Sequence, residues 1–311
     1  MANIQLSNLS LGNPTVTVLA VGPIDLTRWF KVIVNERHIV YVEVDDGALP
    51  RGWQDMGVAG NPMVTLPPFP PQYVGQSNYM GLSLAHTATG RRTVWVLKQP
   101  FQFFKNHIEV WHNLSFDYAS VRRIRRVDNG YQGRLYDRSW LVQIPVNGNW
   151  TKALMKIVDF PPGLSGNTFN NDTSQDVGQI YSSKLRQEVM LHQQAAAGAP
   201  GVVPAFLGIV TEPWRGVVGF LMEYIEDAVT LNEVPDKRVY NRMVRNAVER
   251  LHNEALVAHQ DLHDENILVT RDGSRLVLID FEQALDLRLP GLDFETSVRT
   301  DNMAWQMFSK R

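Results

Sequence analysis

The residue types best suited to chemistry are two carboxylates and one amide near the end of the chain: Asp261, Asn266 and Asp280. Transfer of a γ-phosphoryl group depends on positioning and charge neutralisation, so a protein supplies Mg²⁺ ligands and one group that accepts a hydroxyl proton. Asp261 is the candidate base. Asn266 and Asp280 are candidate Mg²⁺ ligands, because this ion prefers hard oxygen donors. The pattern predicts phosphoryl transfer from Mg-ATP.

A β-hairpin must bring these side chains together. The apolar runs 267–269 and 276–279 flank a turn signal at 271–274, which predicts two antiparallel strands. Asp280 then follows the second strand directly and lies close to Asn266 at the start of the first. The alternative is an ordinary hairpin with exposed acidic residues.

These motifs carry a resemblance. Residues 259–266 resemble the His-Arg-Asp catalytic loop of protein kinases, and residues 280–282 resemble their Asp-Phe-Gly motif. The spacing His-x-Asp-x-His-x-x-Asn is similar to the aminoglycoside phosphotransferase and choline kinase branch of the protein-kinase-like superfamily, with an atypical protein kinase as the other candidate. The resemblance covers about residues 120–311.

The resemblance implies an ATP-binding side upstream of the hairpin. The turn at 127–135 is similar to the glycine-rich phosphate loop, with Gly130 and Gly133 at its second and third glycine positions and Asp128 at the first. Residues 223–225, Glu223, Tyr224 and Ile225, resemble the hinge that binds adenine. Strands are predicted at 140–144, 205–210 and 217–222.

Lys156 is expected to be the phosphate-binding lysine. It lies in the apolar run 152–158, and a buried ammonium needs a partner. Glu188, on a helix predicted over about 178–195, is the candidate for that partner. Lys152 is the less favoured lysine, and the alternatives are a surface Lys156 and a solvated Glu188.

Two further helices are expected. Pro235 and Asp236 open a helix whose apolar positions include Val239 and Leu251, and we expect His252 at its surface or end. The stretch 299–308 resembles the helix whose aspartate supports the catalytic loop. Asp301 would be that aspartate, and a solvated side chain is the alternative.

Three residues depart from the protein-kinase pattern: Gln260, His263 and Glu282. Gln260 replaces an arginine that receives activation-loop phosphate, His263 replaces a lysine, and Glu282 replaces a glycine beside the metal-binding Asp280. Only 31 residues follow Asp280, so we expect no activation segment of the usual kind. These departures favour a small-molecule or atypical protein acceptor.

The expected fold class is α+β, a minimal bilobal protein-kinase-like fold. A five-stranded antiparallel N-lobe with one helix (about 113–225) would precede a reduced helical C-lobe (about 226–311). Residues 1–112 are predicted to form a β-rich accessory region with strands at 15–19, 30–34, 38–44, 93–97 and 108–111. Its proline-rich stretch, 62–71, is either a covering loop or a ligand for an aromatic-lined groove.

Composition excludes several function classes. With 44% hydrophobic and 20% charged residues the chain is globular, and a net charge of −2 gives nucleic acid no electrostatic role as main partner. The arginine run at 122–126 is interpreted as a solvated strand edge. The absence of cysteine excludes disulfides and thiolate sites. Lacking a signal peptide or membrane span, the protein is expected to be intracellular and cytoplasmic, without a membrane partner.

The predicted function is ATP- and Mg²⁺-dependent transfer of the γ-phosphoryl group to a hydroxyl of a small molecule or protein. The alternative is a pseudokinase that acts as a nucleotide-binding scaffold. The retained set of Asp261, Asn266, Asp280 and Lys156 argues against it, because a scaffold needs no metal ligands. Transfer of the nucleotidyl part of ATP stays open.

Overall fold

Four β-sheets and three α-helices form among the residues that the computed structural model describes. None of these helices is long and apolar enough to cross a membrane. The described residues are 14, 16–21, 29–35, 38–45, 48, 68–74, 79–88, 90–97, 112–127, 139–157, 177–212 and 216–308.

The first sheet lies in the predicted accessory region and has the strand order β1-β2-β3-β4-β5. Its strands are antiparallel neighbours except β3 and β4, which are parallel. Valines at alternate positions of β2 and β3 are buried, because successive side chains of a strand point to opposite faces. The strands are β1 (Val16–Val21), β2 (Trp29–Val34), β3 (His38–Val44), β4 (Tyr79–Thr87) and β5 (Gly90–Leu97).

The end of the proline-rich stretch packs on this sheet. Phe69 is buried, and its ring lies edge-on to Trp95 with centroids 5.0 Å apart. This contact favours the covering-loop interpretation of the stretch. Pro62, Pro67 and the strand predicted at 108–111 lie outside the described residues.

The second sheet contains the predicted N-lobe strands in the order β6-β10-β11-β9-β8-β7. The five antiparallel strands are present, and β6 adds a sixth strand that is parallel to β10, which corrects the expected five-stranded sheet. A Cβ on Gly208 of β10 would lie 2.8 Å from Leu114 O, so the close approach of β6 requires glycine there. The strands are β6 (Ser115–Asp117), β7 (Arg122–Arg126), β8 (Ser139–Val146), β9 (Asn149–Ile157), β10 (Phe206–Glu212) and β11 (Gly216–Glu223).

The long helix α1 (Val177–Gly198) contributes to two apolar clusters. Leu185 and Val189 belong to an apolar cluster with β10 and β11. Leu191, Ala195 and the following Ala199 instead belong to a cluster formed mainly by residues after position 230. Because one rigid helix contributes to two apolar cores, its position relative to both is fixed.

The C-terminal part contains the predicted hairpin and two helices. β14 pairs antiparallel with β15, with Ile267 opposite Leu278, and Gly273 in the turn has a φ of +69°. Val239 was expected in the apolar face of α2 but is 65% exposed, because a 3-10 turn (Lys237–Tyr240) precedes the α-helix. The elements are β12 (Ala228–Thr230), α2 (Asn241–Asn253), β13 (Val257–Ala258), β14 (Ile267–Thr270), β15 (Leu276–Leu278), β16 (Leu285–Asp286) and α3 (Phe294–Phe308).

The contact between Gly198 and Ala255 predicts the effect of one substitution. A Cβ on Gly198 would lie 2.5 Å from Ala255 Cα, so Gly198→Val must push α1 away from the segment after α2. We expect a loss of about 1–3 kcal/mol in the free energy of unfolding, measured with urea. The control Ala197→Val is on the exposed side of the same helix. Equal losses in the two variants would contradict this packing.

Candidate active site

Lys156 on β9 lies at the centre of the site, between two carboxylates. Its Nζ is 2.5 Å from Glu188 Oε1 on α1 and 2.7 Å from Asp280 Oδ1 after β15. Lys156 is 8% exposed and Glu188 3% exposed, so protein charge rather than water compensates the ammonium. The sequence predicted the pair of Lys156 with Glu188, and the structure brings both residues to Asp280.

The carboxylates determine the charge of Lys156. Burial lowers its pKa, but the attraction of Glu188 and Asp280 outweighs burial, so the pKa is raised above its ordinary value. Burial raises the pKa of Asp280, and the Lys156 charge overcomes this effect, so that pKa is lowered. The charged Lys156 can bind a phosphate, and the charged Asp280 beside it can bind the cation that accompanies the phosphate.

Lys152 has a different environment from Lys156. Its side chain is 50% exposed and forms an ion pair with Glu226. Exposed pairs of this kind contribute little to stability. Of these two lysines, Lys156 is the one that faces Asp280. It is also the one that the sequence favoured as the phosphate-binding lysine.

The catalytic-loop candidates lie side by side. Asn266 is buried, and its Nδ2 donates to the backbone oxygen of Asp261 at 2.9 Å. The Ile279 N–H donates to the Asn266 backbone oxygen at 2.9 Å, which places Asp280 next to Asn266. The Asp261 side chain is 48% exposed, so an acceptor has access to it.

His263 stands beside Asp261. Its Nδ1 accepts a hydrogen bond from the Glu265 N–H at 3.3 Å, so the neutral ring carries its proton on Nε2. That nitrogen is 3.8 Å from Asp261 Oδ2. Where the protein-kinase pattern has a lysine, this chain has an imidazole whose N–H faces the candidate base Asp261.

Asp301 on α3 supports the catalytic loop. It is 0% exposed and accepts hydrogen bonds from the His259 N–H at 2.7 Å and the Gln260 N–H at 2.8 Å. A solvated Asp301 is therefore excluded. His252 was expected at the surface or at the end of its helix: it does lie in the last turn of α2, but it is buried at 4% exposure, and its Nε2 is 2.9 Å from Asp301 Oδ2. Sequence periodicity gave no sign of this partner because α3 is distant in the chain.

Two residues of the site have left-handed backbone conformations. Gln260 and Asp280 each have a φ of +67°, a backbone conformation that is sterically unfavourable for residues with a Cβ atom. Such strain persists only where neighbours hold it. Gln260 is held by Asp301 and by a hydrogen bond from its Nε2 to Ser297 O, and the Glu282 N–H bonds to the Asp280 carboxylate.

A column of rings packs behind the loop. His259 donates through Nε2 to Ile279 O at 2.8 Å, and its ring centroid is 4.9 Å from that of Phe281. Phe281 in turn lies 5.7 Å from His192 on α1, whose Nε2 is 2.9 Å from Pro204 O. The sequence gave no indication of this ring contact, because its members are distant in the chain.

The hinge candidates connect the two halves. Arg275, immediately before β15, donates to both oxygens of Glu223 at 2.5 and 2.9 Å, and this pairing lowers the pKa of Glu223. Tyr224 is half-buried and Ile225 is buried. The Glu223 side chain therefore ties the end of β11 to the hairpin, a contact that sequence reasoning missed. The glycine-loop candidates Asp128, Gly130 and Gly133 lie outside the described residues.

Part of the chain matches a known family. Residues 214–296 match the RIO domain. RIO domains are an atypical protein kinase family within the protein-kinase-like superfamily. The matched segment contains the hinge candidates, the catalytic-loop candidates and Asp280, whereas Lys156 and Glu188 precede it. The match indicates an atypical kinase-like, ATP-binding phosphotransferase, and the branch within the superfamily stays a prediction.

The oxygen donors of the site suit Mg²⁺. Among the described residues, no group of three or more His, Cys, Asp or Glu side chains could hold a metal by itself. Mg²⁺ needs no such cage, because it usually binds one or two carboxylates together with waters and substrate phosphates. The Asp280 side chain is 41% exposed, with one oxygen on Lys156. Asp280 and Asn266 therefore fit a Mg²⁺ ion that arrives with a nucleotide.

His192 predicts a pH dependence of stability. Burial lowers its pKa to about 4, so the unfolded chain, whose histidine titrates near 6.5, takes up this proton first as the pH falls. Neutral His192 makes its full contribution to the free energy of unfolding above about pH 6.5, and about 3 kcal/mol of that free energy is lost as the pH approaches 4. About 2 kcal/mol of this loss falls between pH 7 and 5, and we expect His192→Leu to remove it in urea unfolding over that range. The exposed control His86→Leu should keep it. Identical pH profiles for the two variants would refute the assignment.

Proposed function

We propose that this protein is an ATP- and Mg²⁺-dependent phosphotransferase that transfers the γ-phosphoryl group to a hydroxyl of a small molecule or a protein. The observation that supports this most strongly is the Lys156 ammonium held by Glu188 and Asp280 beside Asn266 and Asp261. Positioned charges of this kind are what phosphoryl transfer requires.

On the nucleotide side, Lys156 binds the phosphates. The backbone of residues 223–225 binds the adenine, while the Glu223 side chain stays on Arg275. Asp128, Gly130 and Gly133 are proposed to bind the phosphates as well, as the resemblance to the glycine-rich loop implies. In this proposal the kinase-like domain is 113–311, with an N-lobe at about 113–225, a C-lobe at about 226–311, and residues 1–112 as an accessory region.

Asp280 and Asn266 hold the Mg²⁺ ion that accompanies ATP. The ion supplies positive charge that neutralises the phosphate oxygens during transfer. Lys156 keeps one Asp280 oxygen fixed, and the backbone hydrogen bond between Ile279 and Asn266 keeps the two ligands adjacent. Glu282 follows Asp280 in the chain and brings a further carboxylate to this region.

On the acceptor side, Asp261 takes the hydroxyl proton. Its carboxylate is accessible, and Asn266 Nδ2 and His263 Nε2 both face Oδ2 at 3.4 and 3.8 Å. The other oxygen then points to the acceptor. Gln260 bonds to Ser297 and carries no charge for an activation-loop phosphate, so acceptors are small molecules or atypical protein substrates.

The test uses Asp261→Asn with ATP labelled at the γ-phosphate. We expect phosphoryl transfer or ATP turnover to fall by about 10²–10⁴-fold, because the general base is lost, while Mg-ATP affinity changes little. Glu249→Gln on the exposed face of α2 is the matched control and should keep the wild-type rate.

Other outcomes would replace the proposal. If the wild type binds nucleotide but turns over ATP no faster than Asp261→Asn does, the scaffold alternative is favoured. Label that reaches an acceptor only from α-labelled ATP would indicate nucleotidyl transfer. If the protein does not bind Mg-ATP at all, both phosphoryl transfer and nucleotidyl transfer are excluded.

A further inference from the structure

Arg125 lies on the inner face of the second sheet, defined as the face that carries Lys156. Arg125 is opposite Leu141 across β7 and β8, and Leu141 is opposite Leu154 across β8 and β9. Opposite residues in paired strands point to the same face, and Leu154 precedes Lys156 by two positions. The side chain of Arg125 therefore points towards the space proposed for the nucleotide.

A β-bulge gives Arg125 this direction. The register of β7 against β8 shifts between Arg123 and Arg125, so Ile124 is an extra residue. In a regular strand, Ile124 would be opposite Leu141 and Arg125 would point to the outer face. Bulges re-aim side chains in this way, and they are over-represented beside active sites.

Arg125 also reaches the hinge. Its Nη2 donates to the Tyr224 hydroxyl at 3.5 Å. The backbones of Arg125 and Lys156 are two strands and two residues apart, which corresponds to about 12 Å in the plane of the sheet. The guanidinium therefore lies at the hinge end of the site, away from the ammonium that faces the phosphates.

We propose that Arg125 is a nucleotide-binding residue whose guanidinium stacks on the purine ring. This inference rests on the proposed function, which places adenine against residues 223–225. A guanidinium is planar and permanently charged, and it is attracted to the face of an aromatic ring. Buried Leu141 and half-buried Leu154 supply the apolar surface next to it. Arg125 thus covers the base, and Lys156 binds the phosphates.

Arg122 provides a matched control on the same strand and the same face. It is opposite Gln143, one row farther from Lys156 than Arg125. Its guanidinium already lies 3.8 Å from the centroid of the exposed Trp150 ring. Removing Arg122 changes the charge of the sheet by the same amount without touching the proposed base site.

The experiment measures the affinity of three probes, adenosine, ATP and tripolyphosphate, by isothermal titration calorimetry. For Arg125→Ala we expect about 5- to 30-fold weaker binding of adenosine and ATP and unchanged binding of tripolyphosphate, because stacking on the base is lost. Arg125→Lys should lose most of the adenosine affinity as well, since an ammonium lacks the planar surface. Arg122→Ala should bind all three probes as the wild type does.

Two results would overturn the inference. One is unchanged adenosine affinity in Arg125→Ala, and the other is an equal loss for tripolyphosphate and ATP, which would make Arg125 a phosphate-attracting charge. Circular dichroism of each variant verifies that it is folded. Wild-type protein that binds neither adenosine nor ATP would overturn the proposed function itself, whereas ATP binding that is insensitive to Arg125 would overturn this inference alone.

Discussion

The structure depends on one buried charge, the ammonium of Lys156. Removing such a group from water is costly, and the cost is offset only if opposite charges surround it at hydrogen-bond distance. Glu188 and Asp280 provide these charges from a helix and from the end of a hairpin. The position of one side chain thus links β9, α1 and the segment that follows β15, and this link assembles groups of the proposed active site.

The rest of the fold fixes the partners of Lys156. α1 contributes to the apolar clusters on both sides of the site, and Gly198 lies against Ala255, so Glu188 cannot move away without disrupting a core. Asp301 holds the backbone of His259 and Gln260. Arg275 and Glu223 connect the hairpin to the end of β11. Geometry of this kind suits a site that is permanently assembled rather than one switched by phosphorylation.

Much of this could be predicted from the sequence where a local pattern carried the information. The hairpin followed from a glycine turn between two apolar runs, and the lysine in an apolar strand required a carboxylate partner, which pointed to Glu188. Contacts between distant segments could not be predicted. His252 lacked any local sign of its bond to Asp301, β6 is only three residues long with polar ends, and the bulge that turns Arg125 inward depends on pairing with β8.

The most direct test of the central claim is a double-mutant cycle on Lys156 and Glu188, measured as free energies of unfolding in urea. Lys156→Met should cost about 3–5 kcal/mol, because it leaves the buried Glu188 without its partner. Glu188→Leu should cost less, because Lys156 keeps its ion pair with Asp280. The double variant should be more stable than the sum of the single losses predicts, by at least about 2 kcal/mol. Losses that simply add would show that the two residues do not stabilise each other, and would contradict this account of the site.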